Sequence, residues 1–242
     1  MVLINREIVI IYVINYWIFK LIGYNLSYNT VIFDLDGTLL DTLDDLSDSV
    51  NYALSKMNYP LRKKGEIRLF LGNGIKNLMK LSVPDGIPDE DFDKTFNYFK
   101  EYYNVHNQDK TKPYDGVITL MHDLKNKGIK MAIVSNKVQS AVDQLREKFF
   151  SDVIDIAIGD SPDIKRKPEP DSCFKALKLL NSSIEESVYV GDSEVDMATA
   201  NNAGLDLITC LWGFRDRDFL IEKGAKVFAE TPADIEREVL KK

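Results

Sequence analysis

The amino-acid sequence predicts an α/β protein: a three-layer α/β/α core built on a parallel sheet, with a small all-α domain inserted near its start. Three observations carry the prediction. Short, nearly continuous apolar runs alternate with segments of helical periodicity from residue 30 onward. Each run ends in a Gly- or Asp-containing turn that leads directly into a helix, as βα units require. One long stretch, between about residues 45 and 112, carries helical periodicity and no strand.

The elements follow in order. Thr30 to Phe33 is a β-branched run that ends in DLDGTLLDT; Leu43, Leu46, Val50, Ala53, Leu54 and Met57 then recur at helical spacing, with Asp41 or Thr42 as the expected N-cap. Inside the helical stretch, Ile75, Leu78 and Met79, and then Phe92, Phe96 and Phe99, mark apolar faces that pack. Lys63 to Glu66, Pro84 to Pro88 and Lys110 to Pro113 read as breaks between helices. The βα grammar resumes with a helix over Val117 to Lys127 closed by Gly128, a strand over Lys130 to Val134 and a helix over Val138 to Phe149. A strand near Val153 to Ile158, a Pro- and Lys-rich loop and a helix around Ser172 to Leu180 make the next round. Ser187 to Val190, a GDSEVD turn, a helix ending at Gly204 and a strand over Leu205 to Thr209 make the last, and Thr231 to Lys242 resembles a capped terminal helix. The chain therefore divides into an apolar extension (1–29), a core (30–45 and 113–242) and a helical insertion (46–112).

Composition narrows the functions available. With 45% hydrophobic and 10% aromatic residues among 242, the chain has the material for a packed core, which excludes a disordered or fibrous protein. A net charge of −7 argues against a nucleic-acid partner, whose phosphates need a basic face, so any anionic ligand has to be caught locally. Cys173 and Cys210 lie in apolar stretches without paired spacing, which points away from disulfides and zinc and toward a reducing, cytoplasmic compartment. His106 and His122 are the two imidazoles, and both read as structural residues. Residues 8–26 are almost long enough to span a membrane, but Lys20, Asn15 and Asn25 oppose insertion, and no small-residue cleavage site follows. A membrane anchor, an appended helix or strand, and an upstream segment unrelated to the chemistry all stay open, with the ordered appendage favoured.

In an open parallel sheet, ligands bind beyond the carboxyl ends of the strands. There the sequence places Asp34 and Asp36, then Ser135, Asn136 and Lys137, then Lys165, Arg166 and Lys167, then Asp192 and Asp196. Clustered carboxylates need a cation, and hard oxygen ligands suit Mg²⁺, with Asp34 and Asp192 as the natural direct ligands. Side chains two apart in an extended turn face the same way, so Asp34 can attack phosphorus as a nucleophile while Asp36 shuttles a proton. Lys167 and the metal would offset the phosphoryl charge, and Ser135 would add a hydroxyl. Each group alone could be an ordinary turn or cap; their joint placement at successive strand ends favours the chemical reading.

Asp34-Leu-Asp36-Gly37-Thr38, Ser135-Asn136, Lys167-Pro168 and Gly191-Asp192-Ser193-Glu194-Val195-Asp196 resemble the four motifs of the haloacid dehalogenase superfamily, over about residues 30 to 242. The resemblance implies a Rossmann-like core, a mobile cap formed by the insertion, and Mg²⁺ held by Asp34, the backbone carbonyl of Asp36 and Asp192, with Asp196 in support. Asp36 separates this chain from dehalogenases and phosphonate hydrolases, which lack that carboxylate, and from transport ATPases, which carry Thr. It favours phosphate-ester hydrolysis or a phosphomutase. Arg68-Leu-Phe-Leu71-Gly72-Asn73-Gly74, Lys112-Pro113-Tyr114-Asp115-Gly116-Val117 and Leu211-Trp212-Gly213-Phe214-Arg215 are similar to bacterial phosphoglycolate phosphatases. A Gly72-Asn73-Gly74 turn opening a helix offers N–H groups to an anion and would serve as the specificity loop of the cap. The expected activity is Mg²⁺-dependent hydrolysis of a small phosphorylated metabolite such as 2-phosphoglycolate, by a monomer or homodimer. A β-phosphoglucomutase-like or pyrophosphatase-like activity, with His106 as a cap base, is the enzymatic alternative. A non-catalytic or membrane-tethered binding protein is the other. The apolar extension departs from the family, whose members usually begin a few residues before the first motif strand.

Overall fold

The computed structural model describes residues 28–241; the N-terminal segment read above as anchor or appendage lies almost wholly outside them. A six-stranded, all-parallel sheet forms the centre: β1 (Thr30–Phe33), β4 (Lys130–Val138), β5 (Ile156–Asp160), β6 (Ser187–Gly191), β7 (Asp206–Cys210) and β8 (Phe228–Ala229), in the order β5-β4-β1-β6-β7-β8. The reversal of direction falls at β1, flanked by β4 and β6. That is the switch point at which an open sheet leaves a crevice.

Strand alternation builds the layers. Val31 and Phe33 of β1 join one apolar cluster with Leu120, Met121, Leu145 and Ile235, whereas Ile32 points to the other face, with Ala176, Tyr189 and Ala200. Both faces are therefore dry, and strands buried on both sides need the continuous apolar runs from which they were predicted. The covering helices are α5 (Val117–Asn126), α6 (Gln139–Phe150), α7 (Asp171–Leu180), α8 (Glu194–Ala203), α9 (Arg217–Glu222) and α10 (Pro232–Val239). At the start of α10, Thr231 N–H and hydroxyl both donate to Asp234, as expected of a capped terminal helix.

Four helices lie between β1 and α5: α1 (Leu43–Lys56), α2 (Lys64–Phe70), α3 (Gly74–Ser82) and α4 (Asp89–His106). They share a separate apolar cluster, with Val50, Leu54, Ile67, Leu78, Met79 and Phe99 fully buried. A two-residue antiparallel ribbon, β2 (Leu40–Asp41) against β3 (Lys112–Pro113), joins the two points where this stretch leaves and re-enters the rest of the chain.

Four local expectations shift. The strand expected near Val153 to Ile158 is Ile156–Asp160. Val153 and Ile154 instead belong to a turn closed by their N–H groups on Phe150 O, and their apolarity reflects core packing rather than pairing. Lys63 to Glu66, read as a break, opens α2, where Lys63 N–H donates to the Glu66 carboxylate at 2.8 Å. At the start of α1 the N-cap position is Thr42, whose buried hydroxyl has no hydrogen-bond partner among the described residues, and Asp41 just before it accepts from Leu43 N–H at 3.2 Å instead. Lys112–Pro113, inside the segment expected as a break, forms the ribbon strand β3, because two residues carry no periodicity.

Candidate active site

The carboxyl ends of β1, β4 and β6, with the loop after β5, converge on one cavity of about 400 Å³. Asp34 follows β1 directly and is 7% exposed. Two residues on, Asp36 is the partly open carboxylate of the pair. Between them and β2 the chain turns at Gly37 (φ +93°), where a Cβ would sit 2.6 Å from Asp192 Oδ2. A Cβ at Gly213 would sit 2.4 Å from the same oxygen. Only glycine lets both loops close around Asp192.

Lys167 is the hub. Its Nζ donates to Asp34 Oδ1 at 2.5 Å, Asp196 Oδ1 at 2.8 Å and Tyr189 Oη at 3.0 Å, with its side chain 4% exposed. The loop that carries it is fixed by Asn136. Lys167 N–H donates to Asn136 Oδ1 (2.9 Å), while Asn136 Nδ2 donates to Lys167 O (3.1 Å) and to Gly72 O (3.3 Å). Asn136 thus faces Lys167 and the Gly72–Gly74 turn with its side chain. Ser135, on the same strand end, accepts from Lys137 N–H at 3.1 Å.

Asp192 and Asp196 differ in the donors they meet. Asp192 Oδ1 accepts from Thr38 Oγ1 (3.0 Å) and Oδ2 from Phe214 N–H (2.7 Å). Asp196 accepts from Lys167 and Tyr189 on one oxygen and from Asp192 N–H, Ser193 N–H and Ser193 Oγ on the other. It is at once the capping-box residue of α8 and the anchor of Lys167.

Asp34, Asp192 and Asp196 offer carboxylate oxygens within 4.8 Å of one another, a set that could hold a metal ion. Charge and hydrogen bonding sort the three. Burial pushes the Asp34 carboxyl well above its ordinary range, aided by Asp196 and Asp192 against the opposing pull of Lys167. Burial likewise lifts Asp192 to about 7, with Asp196 adding to it. Burial would raise Asp196 too, but the Lys167 ammonium overrides it and holds this carboxyl below its usual value. One lysine therefore neutralises one carboxylate, and burial holds Asp34 and Asp192 toward their protonated forms until a hard cation supplies the missing positive charge. Asp34 Oδ2 has no hydrogen-bond donor among the described residues, and Asp196 is saturated. The donor set fits a small divalent ion on Asp34 and Asp192.

Gly72 and Gly74 line the cavity where their turn opens α3, whereas Asn73 between them is exposed and does not. Arg166 packs so closely on Gly74 that a Cβ there would lie 1.9 Å from Nη2. Arg215 Nη2 donates to Leu71 O at 2.8 Å while pairing with Glu194. His106 bonds Asp109 and stacks on Tyr102, and His122 faces Asp152; neither lines the cavity. Trp212 is structural, donating to Thr38 O at 3.0 Å. Sequence reading missed Tyr189 and Tyr103, which look like core aromatics until their hydroxyls are placed. Thr38 and Phe214, both inside quoted motifs, bind Asp192 through groups that no pattern singles out.

A family model described as haloacid dehalogenase-like hydrolase matches residues 31–210. The chain is 32% identical over 192 residues to the phosphoglycolate phosphatase of Cereibacter sphaeroides, covering 76% of this chain and 86% of that protein. It is 27% identical over 185 residues to the phosphoglycolate phosphatase of Aquifex aeolicus, covering 76% and 85%. A solved structure from Lactobacillus delbrueckii, described as that of a candidate phosphoglycolate phosphatase, superposes with a TM-score of 0.86 at 34% identity, covering 90% of this chain and 100% of that one.

Proposed function

From a chain that belongs to the haloacid dehalogenase-like hydrolase family, we propose a phosphate monoester hydrolase that is Mg²⁺-dependent, works through an aspartyl-phosphate on Asp34 and acts on a small phosphorylated acid such as 2-phosphoglycolate. The relatives named phosphoglycolate phosphatase support the substrate class. The observation that carries the mechanism is the pairing of Asp34, held by Lys167 at 2.5 Å, with the more open Asp36 two residues on.

Asp34 Oδ2, free of hydrogen bonds, is the attacking atom; it forms a bond to phosphorus as the ester P–O bond breaks. Asp36 donates a proton to the departing oxygen and then takes one from the water that hydrolyses the intermediate. Lys167 and Ser135 bind the phosphoryl oxygens, and Asn136 holds Lys167 in place. Mg²⁺, held by Asp34, the Asp36 carbonyl and Asp192 with Asp196 in support, would offset the charge that develops on those oxygens. Helices α1 to α4 act as the cap, over about residues 46–112, and Gly72 and Gly74 of the turn face the leaving group. Free, buried Cys173 and Cys210 suit a reducing, cytoplasmic setting, and among the described residues no helix is long and apolar enough to cross a membrane.

The test is a panel of phosphometabolites assayed with and without Mg²⁺, on the wild type and on Asp34→Asn. Turnover should require the metal and fall by more than about a thousandfold in the variant, whose fold is spared. Retention of more than a few per cent of activity toward p-nitrophenyl phosphate would sink the mechanism.

A further inference from the structure

Asp36 has a partner that the motif reading does not use. Lys137 Nζ donates to Asp36 Oδ1 at 2.9 Å and to Tyr103 Oη at 2.6 Å. The lysine side chain is 6% exposed, and Tyr103 is 5% exposed. Lys137 comes from the end of β4 and Tyr103 from α4, so a buried ammonium links the central sheet to the inserted helices. Burying an ammonium is costly unless its protons are matched. Here the matches are one oxygen of Asp36, one phenol, and the face of the same Tyr103 ring at 5.1 Å from its centroid.

We propose that Lys137, held by Tyr103, is the positioning residue that orients Asp36 for proton transfer to the leaving group. The inference rests on the acid role of Asp36 given above. Lys137 grips Oδ1, which fixes the plane of the carboxyl group and leaves Oδ2 to carry the proton. As the ester P–O bond breaks, its electron pair stays on the leaving oxygen, which takes that proton. The Lys137 main-chain N–H also donates to Ser135 Oγ, so one residue sets both the phosphoryl-side hydroxyl and the acid. Because Tyr103 belongs to α4, Asp36 is fully oriented only while that helix is seated on the core.

The role has a chemical signature. An alkoxide leaves poorly without a proton, whereas p-nitrophenolate leaves without one. In single turnovers with enzyme in excess, Lys137→Met should slow cleavage of an alkyl phosphate by at least about tenfold and release of p-nitrophenolate by less than about threefold. The alkyl ester is 2-phosphoglycolate, or glycerol 3-phosphate where the wild type prefers it, and half-saturation should stay unchanged for both esters. Tyr103→Phe should give the same selectivity with a smaller loss. Equal losses on both esters, a loss confined to half-saturation, or no loss at all would each overturn the proposal. If circular dichroism finds Lys137→Met misfolded, Tyr103→Phe carries the test, and absence of leaving-group selectivity there overturns it. A wild type that cleaves neither ester overturns the phosphatase reading, and the inference falls with it.

Discussion

Lys167 carries more of the site than any other side chain, because three buried acidic or phenolic oxygens share its one charge. Lys167→Met keeps the volume and removes the cation, leaving Asp34 and Asp196 to face each other across a dry gap. Removing one partner of a buried ion pair typically costs about 3–5 kcal/mol, and urea unfolding should show a loss of that order. Gly37→Ala should fail differently: its Cβ meets Asp192 at 2.6 Å in a backbone region that side chains avoid. Activity should collapse because Asp192 is displaced, and Mg²⁺ titration by calorimetry should show weakened binding. At this scale the sequence was informative for ionisable residues beside strand ends, since charge next to an apolar run stands out. It was silent on Tyr189, a hydroxyl hidden in the run VYVG whose ring is core and whose oxygen is site.

At the scale of elements, the turn before α3 is gripped from the core side. Arg215 reaches Leu71 O and Arg68 O while its guanidinium pairs with Glu194, and Asn136 reaches Gly72 O. Arg215→Met should loosen this turn selectively: amide hydrogen exchange across residues 68–75 should accelerate while the strand amides of β1 and β6 keep their protection. Uniform acceleration would point to a general loss of stability instead. Strands β1, β4 and β6 and the helix of the GDSEVD turn were legible because period and punctuation agree there. Elements whose cues are not periodic were not. Ile156–Asp160 is displaced from its apolar signal because Val153 and Ile154 pack without pairing, and Gly159 is required by backbone contact, its would-be Cβ lying 2.7 Å from Lys137 O.

Over the whole molecule, buried acidity ties stability to pH. Asp192 titrates near 7 when folded against an ordinary 3.8, so the folded state holds a proton that the unfolded chain has released across that interval. Asp34 shifts in the same direction. Without a divalent ion, Asp192 makes stability fall as pH rises from about 4 to about 7, and Asp34 acts in the same sense. Asp196, shifted down, acts in the opposite sense, its contribution being lost as pH falls below the ordinary carboxylate range. The melting temperature of the chelated protein should therefore drop between pH 5 and pH 7.5, and the increment from added Mg²⁺ should be larger at pH 7.5. Asp192→Asn should flatten both trends. The layered architecture and the crevice were legible from residue 30 onward, because both follow from strand periodicity. The manner in which the helical stretch is attached was not legible, since it depends on Leu40–Asp41 meeting Lys112–Pro113 some seventy residues later. That two-residue hem gives the attachment a topological meaning: the sheet meets everything between it as a closed loop with adjacent ends. Doubling the length of such a loop costs only about 0.6 kcal/mol of closure entropy, so the sequence between the hems is free to lengthen or shorten at little cost to the sheet. The strands are thereby insulated from changes of length in the helical stretch, and the two parts answer to each other only where side chains cross between them, as Lys137 does to Tyr103 and Asn136 to Gly72.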